Sequence, residues 1–205
     1  MGRLGGNFEG NINMTFYDGL AVAAGLTLIA MYLANRWREV QYVTSDVDNR
    51  IYLVRKKDDA FEAANILARL NEKVQRLITR LMEKYPDDER VLLLDQRYNP
   101  EALSEGTNDT GYTSYSINKG EKIIMCLRSR DASATLEDEN TLVYVLVHEL
   151  AHLATTEIGH TKTFWKNFRF FIKESVALGI YEDTDYSSKP VNYCGIEINS
   201  SSMTK

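Results

Sequence analysis

All three histidines of the chain fall in one run, HELAHLATTEIGH, at residues 148–160. No other feature constrains the fold as tightly. On an α-helix, residues four apart lie about 40° apart around the axis and one turn above each other. His148 and His152 on such a helix aim two imidazoles at one point, and Glu149 sits about 100° round, beside that point. The His-Glu-x-x-His spacing is the sequence signature of a zinc hydrolase. Catalytic zinc takes three protein ligands and keeps one position for water, so a third ligand must come from outside this helix. His160 is the first candidate, because Gly159 lets the chain turn back. Glu174 on the next helix and Glu157 near the helix end are the alternatives. Leu142, Val145, Leu146, Leu150 and Leu153 make the helix apolar enough to be buried. Two histidines and a glutamate on a buried helix need partners, and a metal ion supplies one. Glu149 is then the catalytic general base.

A second feature stands near the start. Gly19 to Ala34, GLAVAAGLTLIAMYLA, carries no charge. As a helix it is about 24 Å long, against a bilayer core of about 30 Å. Phe16, Tyr17 and Trp37 flank it as interfacial aromatics and extend it to spanning length. The expectation is a polar segment over 1–15 and a transmembrane helix over 16–37. Arg36 and Arg38 follow the segment, whereas Arg3 and Glu9 precede it. The positive-inside tendency therefore puts the C-terminal domain in the cytosol. Of the glycosylation sequons at Asn13, Asn108 and Asn199, the last two are then chance matches.

The soluble part reads as α+β. Residues 35–45 read as a polar connection, and Arg50–Arg55 as a short strand. Asp58 or Asp59 caps a helix running to Tyr85, with Phe61, Ala64, Leu67, Leu70, Val74, Leu77, Ile78 and Leu81 on one face. Pro86 ends it. Val91–Leu94 reads as a buried strand. Gly111–Ile117 and Lys122–Leu127 form a hairpin around Asn118-Lys119-Gly120, whose edge suits an added peptide strand. Glu139 to about Thr156 is the motif helix. Thr161 caps a last helix, Lys162–Ala177, ended by Gly179. A tail follows, loose over 199–205. The net charge of −5 argues against a general nucleic-acid binder. Cys126 and Cys194 are far apart and in no C-x-x-C arrangement, which reads as two reduced thiols in a reducing compartment.

His148-Glu-Leu-Ala-His152, followed by Gly159-His160-Thr-Lys-Thr-Phe164-Trp165, resembles the WLM metallopeptidases, relatives of the SprT-like group. The resemblance covers residues 45–198. It implies a zincin-like metallopeptidase domain with helices on a small, mostly antiparallel sheet. It also implies His160 as third ligand, one zinc ion, and Phe164 and Trp165 as packing residues. The hairpin with Cys126-Leu-Arg, and the run Pro190-Val-Asn-Tyr-Cys-Gly195, are most similar to WLM-like proteins of large DNA viruses. Family members that clear proteins crosslinked to DNA carry extra binding motifs. This chain instead has an apolar segment and an acidic balance.

The expectation is thus a membrane-anchored zinc metalloendopeptidase acting on polypeptide, anchored through residues 16–37, with virion or capsid proteins as candidate partners. The alternatives are a structural or membrane-tethering protein of a viral particle that retains the fold, and a DNA-directed repair protease. Tyr186 and Tyr193 are candidates for an oxyanion hydrogen bond. Cys194 is a candidate latency ligand at the open zinc position, with a buried free thiol as the plainer reading.

Overall fold

The computed structural model describes residues 16–36, 39–107 and 113–199. The expected polar segment 1–15, Trp37 and Arg38, the sequons at Asn13 and Asn108, Gly111 and Tyr112 of the expected strand, and the tail 200–205 lie outside them. The chain divides into two units, residues 1–38 and 39–205.

The first unit contributes one helix, α1 (Phe16–Arg36). Its Tyr17–Ala34 stretch is long and apolar enough to cross a membrane, and no part of that stretch is buried. Backbone polar groups inside a helix satisfy one another. The Thr27 hydroxyl joins them by donating to the Ala23 carbonyl at 2.8 Å. Asp18 stands in the first turn, where the helix dipole favours an acid.

The second unit begins with β1 (Val40–Thr44) and β2 (Ile51–Arg55), an antiparallel pair in register from Val40↔Arg55 to Thr44↔Ile51. The expected polar connection over 35–45 is therefore partly a strand. Its pairing partner, rather than its own apolar content, makes it one; Tyr42 stays exposed. The long helix α2 (Ala60–Lys84) follows, with Leu67, Leu70, Val74, Leu77 and Leu81 buried at spacings of three and four. Each such side chain contributes about 1.5–3 kcal/mol of burial free energy. Phe61, expected on this face, is instead half exposed. Asp59 stands at the N-cap position, but its side chain makes no cap bond. It accepts from Arg128 at 2.5 Å instead, and that hydrogen bond holds its carboxyl below the usual range.

Val91–Leu94 does not form the expected strand. It lies in α3 (Glu89–Arg97), whose N-cap Asp88 accepts from the Arg90 amide at 2.9 Å. Val91 and Leu94, three apart, are buried, while Leu92 between them faces outward. A 3₁₀ turn (Pro100–Ala102) leads to β3 (Leu103–Glu105), then β4 (Tyr115–Ile117) and β5 (Lys122–Met125). Their order is β3-β5-β4, with β3 parallel and β4 antiparallel to β5, so β4 is an edge. The helices α4 (Glu139–Leu153) and α5 (Lys162–Ala177) are capped by Asp138 and Thr161 as their residue types demand. Gly179 follows the end of α5.

The tail is more ordered than expected. β6 (Val191–Tyr193) and β7 (Ile196–Ile198) form a hairpin around a two-residue turn. Cys194 and Gly195 both have positive φ there, 50° and 81°, which is the backbone a type I′ turn requires. Cys126 and Cys194 are joined by a disulfide. The expectation of two reduced thiols is thus wrong, because the fold brings the turn of β6–β7 against the end of β5. The inference of a reducing compartment loses its support with it.

Two buried polar clusters lock the frame. Asn71 donates to the Tyr52 hydroxyl at 3.0 Å and accepts from Tyr98 at 2.6 Å. Arg128 donates to Glu105 at 2.8 Å, and Glu105 also accepts the Arg55 amide at 2.6 Å. Burial pushes the Glu105 carboxyl up, against the pull of that amide and of Arg128. Between them these groups connect β2, β3 and the segment after β5.

Candidate metal centre

α4 is buried along most of its length, and its last turns carry His148, Glu149 and His152. Beyond Leu153 the chain must reverse. Gly159 makes the reversal with φ 83°, a conformation that costs glycine little. His160 comes back against the helix as a result. Its Nε2 lies 2.9 Å from Nε2 of His148 and 3.2 Å from Nε2 of His152. The ligand atoms of all three histidines lie within 4.8 Å of one another. Two tetrahedral bonds of about 2.0–2.1 Å place their nitrogens about 3.3 Å apart, so the spacing suits one ion.

Electrostatics points the same way. Burial, then the neighbouring imidazoles, holds His148 down at about 3. Burial, His160 and Lys119 hold His152 at about 4. Both rings are therefore neutral at pH 7, and a neutral imidazole offers a lone pair. Burial pushes Glu149 up to about 7, against hydrogen bonds from the side chain and backbone of Ser116 on β4. Phe164 packs on all three imidazoles, with ring centres 4.3–4.8 Å away. Trp165 lies 5.6 Å from His160. The packing expected of this pair is present.

The return segment is pinned from several sides. Lys119, in the β4–β5 turn, donates to the carbonyls of Thr155 at 2.7 Å and Glu157 at 2.9 Å. Arg97 donates to the Leu153 carbonyl at 2.6 Å. Asn167 on α5 donates to the Ala154 carbonyl and to Thr155 Oγ1. These bonds satisfy carbonyls that the end of α4 would leave orphaned. Neither Ser116 nor Lys119 is recognisable from its local sequence, because each acts on a residue about 33 positions away.

The rival ligands are otherwise engaged. The Glu157 carboxylate accepts from Thr161 and Thr163. Glu174 accepts from Lys84 and Tyr85. Tyr186 is buried with its ring against Tyr144, centroids 4.9 Å apart. Tyr193 does line the cleft beside His148 and Glu149. Its hydroxyl donates to the Cys126 carbonyl at 2.8 Å, so the bond to Ser114 at 2.7 Å uses it as acceptor. No proton on Tyr193 remains for an oxyanion in this arrangement. Cys194 is committed to Cys126, so it has no thiolate to offer a metal. The latency role is overturned by that bond.

The cleft has two lobes. One, about 590 Å³, runs along β4 and past the three histidines. The other, about 280 Å³, lies between α4, α5 and the β6–β7 hairpin. His148, Glu149 and Ile196 line both.

The chain is similar to several known proteins. The WLM domain family matches residues 47–201. "Uncharacterized protein R325" of Acanthamoeba polyphaga mimivirus is 35% identical over 188 residues, 88% of this chain and 93% of that protein. "Uncharacterized protein 136R" of Invertebrate iridescent virus 6 is 32% identical over 103 residues, 50% of this chain and 56% of that protein. Among solved structures, Wss1 from Saccharomyces cerevisiae is similar at a TM-score of 0.47 and 19% identity, over 62% of this chain and 86% of that one. The family match spans most of the chain and includes the three histidines: the chain belongs to the WLM family, a family of metallopeptidases.

Proposed function

We propose that the chain is a membrane-anchored, zinc-dependent metalloendopeptidase. The observation that carries this reading is the convergence of three imidazole nitrogens with Glu149 buried beside them. His148, His152 and His160 would hold the ion, and their neutral imidazoles suit zinc. When bound, zinc would supply Lewis acidity, making water nucleophilic near neutral pH and polarising the scissile carbonyl. Glu149 takes the proton of the attacking water on its carboxylate and returns it to the leaving amine. Ser116 holds that carboxylate in place. The β4 edge lines the same cleft, so an extended polypeptide adds to it as a further strand and brings its backbone past Glu149.

The anchor is residues 16–37. α1 is apolar and unburied over Tyr17–Ala34, and Arg36 and Arg38 follow that stretch on the side assigned to the cytosol. The relatives in large DNA viruses support residence in a viral particle, with other particle proteins as partners.

The test pairs zinc analysis with cleavage of an unfolded protein by wild type and Glu149→Gln. One zinc in each is expected, with cleavage by wild type alone and a loss of about 10²–10⁴-fold in the variant. One zinc in both and cleavage by neither would instead favour a structural protein that keeps its metal for stability.

A further inference from the structure

The smaller lobe of the cleft is not explained by metal binding or by proton transfer. It holds about 280 Å³ and opens beside His148 and Glu149. Tyr144 and Val145 of α4 and Trp165 of α5 form one wall. Ile196 and Ile198 of β7 form the other. Residues two apart on a strand share a face, so the two isoleucines act as one apolar surface. Ile196 remains half exposed although it borders the cleft. Glu197, which accepts from Asn199 at 3.0 Å, contributes polarity at the rim.

This wall is built in advance of any ligand. Cys194, in the turn of the hairpin, is covalently joined to Cys126 beyond β5. Its amide donates to Glu137 at 3.0 Å. The neighbouring Tyr193 hydroxyl is tied to Ser114 and to the Cys126 carbonyl. A wall fixed in this way loses little freedom when a ligand enters, so burial there is realised as affinity.

We infer that this lobe is a specificity subsite taking one bulky apolar side chain, of the Leu or Phe class, from the polypeptide substrate. The inference rests on the peptidase reading, because it assigns the side chain adjacent to the bond cleaved. His148 of the metal cluster and Glu149 beside it line both lobes. A backbone lying along β4 with its carbonyl at the cluster therefore directs a neighbouring side chain into the lobe. Replacing Leu by Ser there removes enough apolar burial to change the rate about tenfold or more.

The experiment uses the zinc-loaded full chain in detergent micelles. Cleavage sites in an unfolded protein are mapped by mass spectrometry, and matched peptides carrying Leu or Ser at the enriched position are then compared. The expected result is enrichment of bulky apolar residues at one position flanking the cut, with a Leu-to-Ser ratio of about tenfold or more in kcat/KM. In Ile196→Arg that ratio collapses towards one, and in Ile196→Ala it falls part of the way. The same ratio is read by fluorescence polarisation of labelled peptides on Glu149→Gln, which needs no turnover. No apolar enrichment, or a ratio untouched by both Ile196 variants, overturns the subsite. If wild type cleaves nothing, the peptidase reading fails, and the binding ratio alone decides the subsite: equal binding of Leu and Ser peptides overturns it.

Discussion

Lys119 shows how a residue distant in sequence can set the chemistry of the site. Its ammonium rests on carbonyls between α4 and His160, and burial lowers its pKa from the ordinary value. It touches no metal ligand nitrogen, yet it fixes the path by which His160 returns. Lys119→Met should keep the fold and lower zinc affinity about 10–100-fold, the range for groups that orient ligands. Competition with a chromophoric chelator measures this, and unchanged affinity would show that Gly159 and Asn167 suffice. Arg128 plays a purely structural part. It and Glu105 are both almost fully buried. Arg128→Met leaves a buried carboxylate without its partner and should cost about 3–5 kcal/mol in denaturant unfolding. Adding Glu105→Leu removes that stranded charge. The double variant should return to within about 1–3 kcal/mol of wild type, the remainder being the orphaned Arg55 amide. A double variant no better than the single one would show that shape, not charge, dominates at this junction.

The β6–β7 hairpin is the element whose stability depends most on a single bond. Three residues per strand do not hold an isolated hairpin in water. The Cys126–Cys194 disulfide closes a separation of 68 residues, worth about 2–4 kcal/mol by typical measurement. Reduction should therefore lower the thermal midpoint by roughly 5–15 °C for a domain of this size. Hydrogen exchange should show the loss first in Val191–Ile198; an unchanged midpoint would assign the hairpin's order to Tyr193 alone. This element was hidden from the sequence for physical reasons. Its turn is Cys-Gly rather than Asn-Gly, and its staple joins residues with no local relation. α4 and α5 were legible because each carries its own signals: an acid or threonine cap, helical spacing of apolar residues, and a glycine after α5. β4 and β5 were legible through Asn118-Lys119-Gly120. α3 departs from the expected strand because Val-Leu-Leu-Leu suits strand or helix, and the Asp88 cap decides for helix. The histidine cluster was legible because helical geometry and one glycine nearly determine it. Ser116 and the walls of the cleft were not, since they come from elements that meet only in the folded chain.

For the whole molecule, charge and redox chemistry pull in opposite directions. Arginines after the apolar stretch of α1 favour a cytosolic domain if that stretch spans a membrane, whereas a disulfide persists in oxidising surroundings, virions included. Both are met if the domain folds on the cytosolic face of a membrane and is later enclosed in a particle, beyond the glutathione pool. That sequence of events fits the relatives in large DNA viruses. It predicts two free thiols in newly made protein and none in the mature particle, read as a mass shift after alkylation. It also predicts no glycan at Asn108 or Asn199, and a domain open to added protease on sealed microsomes. Glycosylation at either site together with protection from protease would put the domain on the luminal side and discard the charge argument. The division of the chain after Arg38 allows a control. Residues 39–205 contain both cysteines, all three histidines and every strand described. That fragment should be soluble, hold one zinc and form the disulfide under air oxidation. If it does, the apolar N-terminal segment bears on where the bond forms and not on whether it can.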